Sequence, residues 1–222
     1  TGEARVRSEN RLLTTVAYQL QGKRTFALEG SIFSAGSVVQ WLRDELKIIE
    51  EAAETEDLAP KAPEDTSVYV IPAFTGLGAP YWDPGARAGI IGLTRDSGRA
   101  HIARAALESV GYQTRDLFES MAADGAPSPR ELRVDGGMVV NDWVVQFLAD
   151  ILGVRVRRPE NIETTAMGAA FLAGLGAGIF GGLEDLVPLA RADRTFVPQM
   201  EDQLRERKFA GWRAAIGRVR TR

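Results

Sequence analysis

The segment Val134-Asp135-Gly136-Gly137-Met138-Val139-Val140-Asn141 reads as a strand that breaks into paired glycines and then enters a helix. Glycines let a ligand touch the backbone with no Cβ in the way, and the first amides of the following helix point at whatever sits there. That is a geometry that suits a nucleotide. The same residues also make a plain tight turn with Asn141 as N-cap, and a cap residue can be a ligand contact as well.

A second candidate is Ser34-Ala35-Gly36-Ser37-Val38-Val39-Gln40. At about 100° per residue, Gly36 and Gln40 lie about 40° apart on a helix, on a stripe with Arg43 and Lys47 and opposite Val38 and Leu42. A glycine in a first turn costs about 1 kcal/mol relative to alanine unless the missing side chain serves something. Either Gly36 marks close packing or it admits a flat ligand.

Three carboxylates, Asp83, Glu108 and Asp135, fall in or next to loops and helix starts, and none has a partner at short fixed spacing. Glu108 lies in a helical run, where a buried acid bonded to a neighbouring backbone group or arginine is the expected state. None is nominated as a general base. The single histidine, His101, reads as a surface residue of a first turn. With one histidine and no cysteine, a zinc centre, a serine-histidine triad, a thiolate nucleophile and a disulfide scaffold are not expected.

The 222 residues, 45% hydrophobic and 26% charged with a net charge of −3, are those of an ordinary globular protein with a proper core. The basic residues are scattered, so no nucleic-acid partner is expected, and the cluster from Arg213 to Arg222 reads as a solvated helix end. Thr1-Gly2-Glu3-Ala4-Arg5 lacks the pattern of an export signal, which gives a cytoplasmic expectation. Ala166 to Leu183 is an 18-residue stretch without charge, but six glycines and five alanines leave too little apolar surface for a membrane span. A helix packed against a sheet and capped by Thr164 and Thr165 is expected there, and no membrane partner.

The elements that would carry these residues follow from periodicity and turn chemistry. Leu12 to Leu20 and Thr25 to Leu28 predict a hairpin about the turn Gln21-Gly22-Lys23-Arg24. Val38, Val39, Leu42, Leu46 and Ile49 predict a helix from Ala35, and an acidic helical piece follows at Glu50 to Leu58. A short strand Val68 to Pro72 leads into an aromatic Gly/Pro loop from Ala73 to Ala86. Gly89 to Leu93 runs on to a helix Arg99 to Met121. After it come strand Glu131 to Val134, helix Asn141 to Leu152, strand Val154 to Arg157, helix Thr164 to Phe180 and a last helix Glu201 to Val219. A hairpin followed by two parallel-type crossover units gives an α/β fold. The order matches the ribonuclease-H-like lobe of the actin-like ATPases, a mixed sheet flanked by helices. Two of that fold's three opening antiparallel strands are found, so its first strand is expected upstream of Thr1.

Ala88-Gly89-Ile90-Ile91-Gly92-Leu93 and, seven residues on, His101-Ile102-Ala103-Arg104-Ala105-Ala106-Leu107-Glu108 resemble the C-terminal signature of the FGGY carbohydrate kinases, the family of glycerol, xylulose and gluconate kinases. Pro72 to Pro84, Arg133-Val134-Asp135-Gly136-Gly137 and Thr1-Gly2-Glu3 are similar to the family's glycerol kinase branch. The likeness runs from Thr1 to about Val219. It implies that residues 1–222 are the C-terminal nucleotide-binding domain of a two-lobed kinase whose N-terminal domain is absent. It implies transfer of the ATP γ-phosphoryl group to glycerol, giving sn-glycerol 3-phosphate and ADP, with Mg2+ and glycerol held mainly by the other lobe.

The nucleotide contacts carried over are Gly36, Gln40, Gly137 and Asn141, with no catalytic and no metal-binding residue in this part, so the piece by itself is expected to be inactive. The resemblance further implies a homodimer or homotetramer at full length, with the N-terminal domain as partner. A sister sugar kinase and a non-catalytic stand-alone nucleotide-binding or interaction module are the competing readings.

Overall fold

The computed structural model describes residues 1–189 and 191–221. In chain order the elements are β1 Leu13–Leu20, β2 Lys23–Glu29, α1 Gly36–Asp44, α2 Glu54–Leu58, β3 Tyr69–Ile71, β4 Gly89–Ile91, α3 Arg99–Ala123, β5 Glu131–Arg133, α4 Asp142–Leu152, β6 Arg155–Pro159, α5 Thr164–Gly176, β7 Ala192–Phe196 and α6 Asp202–Val219. The chain divides into two compact units, residues 1–128 with 200–222, and residues 129–199.

In the first unit β1 and β2 form the expected antiparallel hairpin, with Leu20 opposite Lys23. The turn is tighter than the sequence suggests: only Gln21 (φ 50°) and Gly22 (φ 82°) lie outside the strands. Two successive positive φ angles suit the right-handed twist of the strands they join. α1 buries Val38, Val39 and Leu42 and stops at Asp44, short of the predicted Leu46 and Ile49. Its helical run is broken by Lys47 at φ 53°.

The frame of this unit is α3, 25 residues long, with Leu107, Tyr112 and Leu117 in the core. Glu108, fully buried, accepts from Arg104 Nε at 2.8 Å and from the Tyr112 hydroxyl at 2.8 Å. It also pairs with Lys208 Nζ of α6 at 2.9 Å. Arg104 donates to the carbonyl of Ala62 and Lys208 to that of Glu64, so the loop ahead of β3 is tied into the same cluster. The expectation of a buried acid bonded to an arginine is met, with a lysine added. Buried charges of this kind persist only when paired and hydrogen-bonded.

Two turns further along α3, Asp116 accepts from Trp212 Nε1 at 2.8 Å and is 4% exposed. The Trp212 ring, fully buried, stacks on Tyr112 at 5.3 Å between centroids.

In the second unit β5 and β6 are parallel and joined through α4, a single crossover where two are predicted. β3 and β4 pair antiparallel, with Tyr69 opposite Ile91. β7, a strand that the sequence does not suggest, pairs antiparallel with β6. The expected mixed sheet is β5-β6-β7, and β1-β2 and β3-β4 form two further two-stranded sheets. Among the described residues no strand pairs with the outer edge of β1 or of β5. The buried residues of α4, among them Val144, Val145, Leu148 and Ile151, share the unit's core with Val156 and Phe196. α5 is not packed as expected: Gly174 is its one buried residue, and its N-cap is Glu163, which makes no side-chain cap bond, rather than a threonine. No helix among the described residues is long and apolar enough to cross a membrane.

Burial raises the pKa of Asp116 to about 6, against the hydrogen bonds from Trp212 and Tyr81 that lower it. A carboxyl whose folded pKa lies above its unfolded value of about 3.9 binds more protons when folded, so stability falls as pH rises from about 4 to about 6. Asp116→Asn removes this slope while keeping an acceptor for Trp212. In the full-length protein the stability of Asp116→Asn relative to wild type is expected to rise between pH 4 and 7, by on the order of 2 kcal/mol. Denaturant titrations at the two pH values check this, and a difference that does not change with pH contradicts it.

Candidate functional site

β5 ends at Arg133, and the chain turns at Gly136, whose φ 84° and ψ 173° belong to a region open to glycine and strained for other residues. The Gly136 amide donates to the carbonyl of Ile162 at 3.0 Å, which holds the turn against the loop before α5. Gly137 to Val140 form one 3-10 turn, and Asn141 then caps α4. Its Oδ1 accepts from the Val144 amide at 3.1 Å, so the capping role read from the sequence is realised. Gly137 is exposed, and a Cβ added there would meet nothing within 4 Å. Packing within the described protein therefore does not explain the bare position.

The same holds for the first helix. Gly36 opens α1 and is exposed, and a Cβ placed on it would also meet no atom within 4 Å. Among the described residues nothing packs closely against Gly36. Gln40 stands exposed one turn along, beside the buried Val39. Gly36 and Gln40 thus share an open face of α1 in the first unit, and Gly137 and Asn141 flank one turn in the second.

The three flagged carboxylates sort differently. Glu108 is consumed by its buried cluster. Asp83, 2% exposed, accepts from the amides of Gly85 and Ala86 and from both the amide and hydroxyl of Thr221. The Thr221 hydrogen bonds are the main cause of a pKa lowered to about 2. Asp135 is exposed and borders a cavity of 610 Å³ within the second unit, with Arg133, Arg157, Thr164 and Phe171. Two concavities of 490 and 500 Å³ in the first unit share Tyr81 and Arg220. None of the three is lined by Gly36, Gln40, Gly137 or Asn141. His101 does more than sit on the surface: its Nδ1 accepts from the Gly98 amide at 3.2 Å and closes the start of α3.

Sequence reasoning misses Arg158. From β6 its Nη1 donates to the carbonyl of Val139 at 2.9 Å and to Asp142 Oδ1 at 2.7 Å, while Nε and Nη2 hold Asp193 at 2.9 and 2.6 Å. Asp142 also accepts from Arg194. Arg158 stands in the sequence as the second of two adjacent arginines in a strand, with nothing in its spacing to mark it.

A helical crossover between parallel strands, with a glycine turn opening the helix, is common to many α/β folds, and it is a solved kinase superposing on the chain that assigns the actin-like ATPase fold. That structure, of Plasmodium falciparum glycerol kinase with ADP, is 39% identical, with a TM-score of 0.88 over 98% of this chain and 44% of its own. The chain belongs to the FGGY family of carbohydrate kinases, whose C-terminal domain matches residues 1–177. It is 58% identical over 220 residues to a glycerol kinase of Alteromonas mediterranea and 59% identical over 218 residues to one of Rhodospirillum rubrum. These alignments cover 99% and 98% of this chain but 44% of each relative, so the chain spans less than half the length of those proteins.

The two glycines of the turn differ in what they tolerate. Gly136→Ala is expected to destabilise the full-length protein by about 1–3 kcal/mol, the range for a side chain forced into a glycine-only conformation. Gly137→Ala is expected to stay within about 0.5 kcal/mol of wild type. Denaturant titration separates them, and equal losses would contradict the turn geometry.

Proposed function

We propose that residues 1–222 are the C-terminal domain of an ATP-dependent glycerol kinase and contribute to the adenosine side of its nucleotide site. The whole enzyme then transfers the γ-phosphoryl group of ATP to a terminal hydroxyl of glycerol, giving sn-glycerol 3-phosphate and ADP. The observation that carries this reading is the turn at Gly136 and Gly137, bare where no packing requires it and leading straight into the capped start of α4. Relatives of 58–59% identity named as glycerol kinases support the choice of glycerol over the substrates of sister kinases. The ADP in the Plasmodium falciparum structure supports the nucleotide.

In this reading Gly137 offers bare backbone to the nucleotide and Asn141 its side-chain amide, while Gly36 and Gln40 offer the same pair of groups from α1. Such contacts hold one end of ATP in place so that the reacting phosphate is presented in line, which is most of what a protein contributes to phosphoryl transfer. No group of three or more His, Asp or Glu side chains able to hold a metal occurs among the described residues. The Mg2+ that neutralises the phosphates is assigned in this reading to the remainder of the enzyme, together with glycerol binding and the general base. That remainder is the N-terminal domain. A cytoplasmic homodimer or homotetramer is the proposed state of the full-length protein.

In the full-length protein, Asn141→Leu is expected to raise KM for ATP about fivefold or more while KM for glycerol stays within about twofold. The reverse pattern in steady-state assays rejects the assignment. The 222-residue chain alone is expected to form no ADP with glycerol, and turnover by it would refute the absence of a base from this part.

A further inference from the structure

Gly137 and Asn141 can serve a nucleotide only if the turn between them keeps one shape, and several of its connections converge on a single side chain. Arg158 is 13% exposed and reaches three separate segments from β6. Its Nη1 holds the carbonyl of Val139, at the end of the 3-10 turn, and Asp142, the first residue of α4. The Val140 carbonyl lies 3.4 Å from the same nitrogen. Nε and Nη2 grip Asp193 of β7 by one carboxylate oxygen. Asp142, held on its other oxygen by Arg194, also places a negative charge at the N-terminus of α4, where the helix dipole favours it.

The guanidinium is suited to this because its donors leave a rigid plane in fixed directions, one edge toward the turn and the other toward β7. A lysine at the same place has three donors on one flexible atom and cannot serve both edges. Arg158 is already committed to protein acceptors, so its effect on a ligand is exerted through the turn.

We propose that Arg158 is a positioning residue of the nucleotide site, fixing the Gly137 to Asn141 turn from the neighbouring strand. This rests on the reading that Gly137 and Asn141 contact the nucleotide, and extends it to a residue that touches none. In Arg158→Lys the charge stays and the two-edged grip is lost: the Val139 carbonyl and the Asp142 carboxylate no longer share a fixed donor, and the turn samples more than one arrangement.

The test uses the full-length protein and ADP as the probe. Titration calorimetry of Arg158→Lys is expected to give a Kd for ADP about tenfold weaker, the scale of one or two lost charge-assisted hydrogen bonds. Hydrogen exchange in the ligand-free variant should speed up at the amides of residues 139–145. KM for glycerol should stay within about twofold. Arg115→Met is the control for general loss of stability, since Arg115 ion-pairs with Glu119 and Glu206 in the other unit. Normal ADP affinity in Arg158→Lys, alongside weakened affinity in Asn141→Leu, overturns the positioning role. An equal weakening in Arg115→Met overturns it too, by reducing the effect to stability. If Asn141→Leu itself binds ADP normally, the underlying site reading fails and the inference with it.

Discussion

The backbone of Gly136 is the constraint on which the second unit is built. At φ 84° and ψ 173° the chain leaves the direction of β5 in one residue, and the strain this would place on any side chain explains why a glycine stands there. Because the turn is so abrupt, α4 can begin at Asp142 and run back along the sheet to feed β6 in parallel with β5. The amides and the cap at the start of α4 are thereby set just beyond the end of β5, where ligands of parallel α/β sheets commonly sit. Gly137, next in line, has open space where a Cβ would go. The first glycine makes the turn; the second leaves it bare.

A different constraint organises the first unit. Glu108 brings Arg104, Lys208 and Tyr112 onto one buried carboxylate, joining α3, α6 and the loop before β3. Replacing such a cluster with apolar groups need not lose stability, but removing one member strands the others, at a cost of about 3–5 kcal/mol. Its chemistry is that of a clasp, and it accounts for the one carboxylate that the signature of the family places in the middle of a helix.

Much of this is legible in the sequence because it is written locally. Helical periodicity locates α3, α4 and α6 to within a few residues, and the polar Gln21 to Arg24 segment locates the hairpin, although the turn itself is only Gln21 and Gly22. The failures are equally physical. Periodicity ends α1 too late because Leu46 and Ile49 continue its apolar spacing, while the break comes from the backbone at Lys47. β7 escapes notice because Asp193, Arg194 and Thr195 are all exposed on an outer strand, leaving little alternation to see. The small, uncharged residues of α5 suggest close packing, yet among the described residues little covers it. Within the candidate site, the glycines and the cap are marked by residue type. Arg158 is not: its partners lie 16 to 35 residues away and meet it only through the sheet. Spacing likewise leaves open whether Gly36 serves packing or a ligand, and among the described residues no atom packs against it.

Whether the turn at Gly137 receives a nucleotide would be decided by a crystal structure of the full-length protein with ADP. The nucleoside is expected against the Gly137 backbone, within about 4 Å, the range of van der Waals contact, with the Asn141 amide at hydrogen-bonding distance. An ADP bound with its nucleoside elsewhere, and the Gly137 turn left facing solvent, would contradict that assignment.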